Sequence, residues 1–176
     1  MVRFLLGRTD TNPDVPDSNG RKPLSLAAAE GKEAVVKLLL ERRDVNPNSS
    51  DHNGRTPLSF AAEQLPEPDD DGCWPSLTLQ YQNIIERLIE RVNVGLNSQG
   101  SNGRTPLSFA AERRQEGIVK LLVDRRDVDP NASDNNGSTP LLFAVKRLQR
   151  LENYGQGSQW SAGDRLGLPR PGQSLV

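Results

Sequence analysis

Three arginines, Arg21, Arg55 and Arg104, each follow an Asn-Gly pair. A guanidinium presents a planar fork of donors that suits a carboxylate or a phosphate, so a recurring arginine is a candidate grip on an acidic partner. The second cluster of reactive types is Asp69, Asp70, Asp71, Cys73 and Trp74, within a proline-rich interruption. Adjacent aspartates lack the alternating oxygens of a calcium loop, so no metal site is expected there. Cys73 has tryptophan and proline neighbours and no base nearby in sequence, which leaves a thiolate nucleophile without support. His52 is the one histidine, and no nucleophile or carboxylate constellation recurs around it. No Gly-Lys-Ser/Thr follows any of the glycines, so a phosphate loop is absent from the sequence. Catalytic residues and cofactors are therefore expected to be none.

The elements that position these residues are repeats. Asn102-Gly103-Arg104-Thr105-Pro106-Leu107-Ser108-Phe109-Ala110-Ala111-Glu112 copies Asn53 to Glu63 almost letter for letter, with looser copies from Asn19 and Asn136. The glycines at 20, 54, 103 and 137 are spaced 34, 49 and 34 residues apart, and 49 is one period plus 15. A period of this length means stacked supersecondary units, each unable to bury its apolar face alone. Asn-Gly is a tight-turn dipeptide, and proline three residues after the glycine opens a helix where a missing N–H costs nothing. Small alanines follow, then a second helix carrying Val35, Val36, Leu38, Leu39 and Leu40 at helical spacing.

In chain order, residues 1–19 read as the back half of a unit, with Leu5-Leu6 opposite Leu39-Leu40. Residues 20–53 and 103–136 are whole units. Residues 54–102 form a unit with an insertion at about 65–79 between its two helices, a length that loop closure tolerates because its cost grows only logarithmically. Residues 137–153 form a partial unit. Residues 154–176, rich in glycine and proline among polar groups, read as a disordered tail. Beginning inside a half unit suggests a fragment of a longer array.

Composition agrees. Only 34% of residues are hydrophobic and the net charge is -1, so no single large core and no bulk attraction to nucleic acid or an anionic membrane is expected. A single cysteine rules out an internal disulfide. No signal segment or run of about 20 apolar residues is present. These features point to an intracellular chain, cytoplasmic with a nuclear location left open.

The period and the Thr-Pro-Leu-x-x-Ala-Ala opening resemble the ankyrin repeat, over roughly residues 2–147, and the Gly-Arg-Thr-Pro-Leu-Ser form resembles the variant of large fungal proteins. The resemblance implies an all-α solenoid of antiparallel helix pairs joined by β-turn fingers. It also implies a protein-protein interaction module that contacts an unidentified protein or peptide through its fingers and first helices. The positions so implied include Arg21, His52, Arg55, Glu63, Asn102, Arg104, Glu112 and Arg113, with Trp74 as a contact from the insertion. Arg21, Arg55 and Arg104 would then stand in register, suggesting an acidic partner, or would form a solvated signature of this variant. The alternatives are a sensor segment of a larger signalling NTPase and a degenerate fragment without function. Exposed terminal units would leave a monomer or a weakly self-associating chain. Two departures stand out: serine or leucine (Ser25, Ser59, Ser108, Leu142) replaces the family's usual histidine, and Arg114-Gln115 replaces its Gly-His pair.

Overall fold

A computed structural model describes residues 1–8, 10–66, 77–91 and 94–158. Among them the chain is all-helical: α1 (Val2–Leu6), α2 (Pro23–Ala29), α3 (Glu33–Leu40), α4 (Pro57–Glu63), α5 (Leu77–Ile89), α6 (Pro106–Glu112), α7 (Glu116–Val123) and α8 (Pro140–Ser158). Met1–Ala144 forms one compact unit, and Val145–Val176 a second whose described part continues α8.

Within the first unit, α2, α4 and α6 start the repeats and α3, α5 and α7 complete them. The starting helices pack in sequence, α2 on α4 and α4 on α6, and each also packs on its own second helix. The second helices meet at α1 on α3 and α3 on α5. Ala27, Ala28, Ala61, Ala62, Ala110 and Ala111 are all buried, and their small side chains let the starting helices approach closely. The core between the layers holds Leu24, Val36, Leu39, Leu58, Ile84, Ile85, Leu88, Leu107, Ile118 and Leu122, all almost fully buried.

Helix starts differ for a chemical reason. Thr56 caps α4 reciprocally: its hydroxyl accepts from the Ser59 N–H and the Ser59 hydroxyl accepts from the Thr56 N–H. Thr105 caps α6 through the Ser108 N–H, and the two hydroxyls lie 3.1 Å apart. At these two starts the serine, standing where the resembled repeat usually carries histidine, shares the cap with the threonine. At α2 the capping position is Lys22, which makes no side-chain cap, and the buried Ser25 hydroxyl has no partner among the described residues.

Two boundaries fall elsewhere than expected. Helix α5 begins at Leu77, so the last residues assigned to the insertion are helical. Thr78 and Tyr81 are buried and extend the apolar stripe of Ile84, Ile85 and Leu88 by helical steps, and the Tyr81 hydroxyl donates to the Ala29 carbonyl at 3.0 Å. Helix α8 runs to Ser158, past the expected end near Asn153. The remainder of the expected tail lies outside the described residues.

Candidate partner-binding face

Each repeat begins with a five-residue finger: Asp17 to Arg21, Asp51 to Arg55, Gly100 to Arg104 and Asp134 to Ser138. The leading aspartate organises it. Asp17 Oδ1 accepts the N–H groups of Asn19 and Arg21, both at 2.9 Å. Asp51 does the same for Asn53 and Arg55 at 2.9 Å, and Asp134 for Asn136 and Ser138 at 2.9 and 2.7 Å. One carboxylate oxygen thus satisfies two backbone donors that a tight turn would otherwise leave open. The finger glycines take φ of 78°, 73°, 76° and 73°, the left-handed region that a side chain resists.

The fingers are tied to one another through the backbone. The N–H of His52 donates to the Asn19 carbonyl at 3.0 Å, that of Ser101 to Asn53 at 2.6 Å, and that of Asn135 to Asn102 at 3.1 Å. These bonds set the fingers in register and leave the side chains of Ser18, His52, Ser101 and Asn135 exposed, with Asn19, Asn53, Asn102 and Asn136 beside them.

The arginines turn back into the protein. Arg21 pairs with Asp17 at 2.8 Å. Arg55 donates to Asp51 through Nε and Nη2 at 3.1 and 3.0 Å, reaches Glu63 at 3.4 Å, and lies 4.4 Å over the Phe60 ring. Arg104 has no finger aspartate, because Gly100 occupies that place. It meets Glu112 at 2.6 Å instead and sits between the rings of Phe109 and Phe143, 4.1 and 4.2 Å from their centres. Partner choice follows sequence. Arg21 has an aspartate before it and Ala29 eight residues after, Arg55 has both carboxylates, and Arg104 has only the glutamate. Partial burial raises the Asp17 carboxyl, but the Arg21 and Asn19 N–H groups and the Arg21 guanidinium outweigh it and hold the group below the ordinary carboxylate range.

The positions singled out in the sequence fall in different places. Arg55 with Glu63 and Arg104 with Glu112 are brought together as internal pairs. His52 and Asn102 lie on exposed finger tips. Arg113 ends α6 and is half-buried, while Trp74 lies outside the described residues. Sequence reasoning missed Asp17, Asp51 and Asp134, whose signal was an aspartate recurring three residues before the finger glycine. It also missed Phe60, Phe109 and Phe143 as platforms for the arginines. Between the second and third fingers runs a cleft of about 200 Å³ lined by Asn53, Arg55, Ser59, Glu63, Gly100 and Phe109, among others.

Among the described residues no three His, Cys, Asp or Glu side chains come together as metal ligands, and no helix is long and apolar enough to cross a membrane. No curated protein matches the chain. A family model of ankyrin repeats, in three copies, matches residues 1–68 and 77–153, leaving out the heart of the insertion. That match falls on fingers and helix pairs repeating in one phase with common close-packed alanines, so the chain belongs to the ankyrin-repeat family and carries the architecture of a protein-interaction module.

Proposed function

We propose that this chain binds a protein partner through the aligned finger tips, with His52, Asn53, Ser101 and Asn102 at the centre of the contact and Glu63 and Arg113 behind them on the first-helix side. The observation that supports this reading is the division of labour within each finger. Backbone bonds and the aspartates hold the turns, with Asn102 Oδ1 accepting the Arg104 N–H in the third finger where the aspartate is replaced by Gly100, so the side chains of His52, Asn53 and Ser101 are left for contact. The arginines belong to the scaffold in this reading, because each guanidinium already faces a carboxylate. The partner is then recognised chiefly by hydrogen bonds from amide and hydroxyl groups, and an acidic partner is no longer required. Affinity should fall only modestly between 50 and 500 mM salt.

A pull-down with the immobilised chain tests this. Replacing His52, Asn53 and Ser101 together by alanine should abolish capture of the bound protein while leaving the melting temperature within about 4 °C of the original. Undiminished capture by a folded variant would refute the assignment of the finger tips.

A further inference from the structure

Beyond the finger-tip reading, the helix inventory of the first compact unit carries a second inference. Three repeats are complete, pairing α2 with α3, α4 with α5 and α6 with α7. Helix α1 has the register of a second helix and packs on α3, but no starting helix stands beside it among the described residues. Helix α8 begins as a starting helix, with Thr139 before Pro140, and no second helix completes it among those residues. The unmatched faces are apolar. Phe4 and Leu5 of α1 are 75% and 45% exposed. Leu141 is 73% exposed, whereas its counterparts Leu24, Leu58 and Leu107 are 1–2% exposed. Leu142 beside it is 39% exposed.

The fingers show the same complementarity in hydrogen bonds. Every backbone bond between described fingers runs from the second residue of one finger to the asparagine carbonyl of the finger before it. By that register the first finger offers the Ser18 N–H and the last offers the Asn136 carbonyl, and neither has a bond among the described residues. The glycines agree. A side chain at Gly20 or Gly103 would collide with the following finger, and one at Gly54 with the Gln99 carbonyl just before the third finger, whereas no described atom lies within 4 Å of one at Gly137.

We propose that a second copy of this chain docks head to tail, placing its α1 beside α8 of the first copy so that the two halves complete one repeat. The Asn136 carbonyl of one copy then accepts the Ser18 N–H of the next, and Phe4 and Leu5 cover Leu141 and Leu142. The sequence phase is continuous across such a joint, because Leu5-Leu6 and Asn19 follow each other as Leu39-Leu40 and Asn53 do. The interface is heterologous, with different patches on the two copies, so further copies add at either free end.

Sedimentation of the 176-residue chain over a concentration series tests the proposal. The average mass should rise with concentration. Phe4→Glu and Leu141→Glu, both at exposed positions, should each leave a folded monomer by circular dichroism. An equimolar mixture of the two variants should form a dimer and stop there, since one intact joint remains and both outer ends are blocked. The alanine variant of His52, Asn53 and Ser101 should associate like the original chain, which separates this joint from the partner face. A monomer at all concentrations, association unaffected by either glutamate, or a mixture that stays monomeric would overturn it.

Discussion

Arg114 adopts φ 58°, the same left-handed conformation that Gly31 takes at φ 66° between the helices of the first whole repeat. An L side chain there costs about 1–2 kcal/mol in local strain, and Arg114 is exposed, so little packing offsets it. Arg114→Gly should therefore stabilise the chain by about 1 kcal/mol in urea denaturation; a lower midpoint would count against the strain argument. Gln115 beside it is buried and donates to the Pro66 carbonyl, so the pair that departs from the family pattern still bridges two repeats. The finger glycines allow a sharper comparison. Gly137→Ala meets no described atom within 4 Å and should cost only the strain, about 1–2 kcal/mol. Gly103→Ala has the same strain but brings its new carbon to 2.7 Å from the Asn135 nitrogen, so it should cost more. Equal losses in paired thermal melts would mean that the fingers do not constrain one another.

Helix by helix, much of this fold was legible in the sequence, because Asn-Gly, Thr-Pro-Leu and paired alanines each carry a local physical instruction that needs no distant partner. What was not legible depended on contacts across repeats. The turn-back of Arg104 needed Phe143, 39 residues away, and the early start of α5 needed the surface that buries Thr78 and Tyr81. Cap chemistry was half legible: the serines were visible, but that Thr56 and Thr105 would engage Ser59 and Ser108 while Ser25 stays unpaired required the structure. Consequently Ser59→Ala should cost about 1–2 kcal/mol, and Ser25→Ala should be neutral within about 0.5 kcal/mol or slightly stabilising. Chemical denaturation of the two variants side by side reads the difference. Helices α3 and α5 are joined by Glu33, which accepts from Asn83 at 3.1 Å and from Arg87 at 3.2 and 3.3 Å. The Asn83 hydrogen bond, followed by Arg87, holds the Glu33 carboxyl below its ordinary value despite partial burial. A depressed folded value means the contribution is complete above the unfolded carboxylate range, about pH 4.3, and is lost as pH falls through the lower folded value. Urea midpoints of Glu33→Gln should thus lie below those of the original chain at pH 7 and converge with them toward pH 3. A constant gap across that range would exclude the linkage.

At the scale of the molecule, the finger tips combine two properties that usually exclude each other, exposure to solvent and fixed backbone geometry. Hydrogen exchange makes this measurable: the amides of His52, Ser101 and Asn135 should exchange far more slowly than that of Ser18, although all four side chains are exposed. Uniformly fast exchange would show that the fingers open independently. The donors in this ladder are main-chain groups, present whatever side chain the residue carries. Positions 18, 52 and 101 can therefore be rewritten without altering the frame that displays them. In evolutionary terms the structural grammar of each finger, an aspartate or its substitute, an asparagine and a glycine, is separate from its vocabulary. A library varied at these positions should stay folded at high frequency, and a lineage carrying this array can change partners by single substitutions that leave its stability untouched.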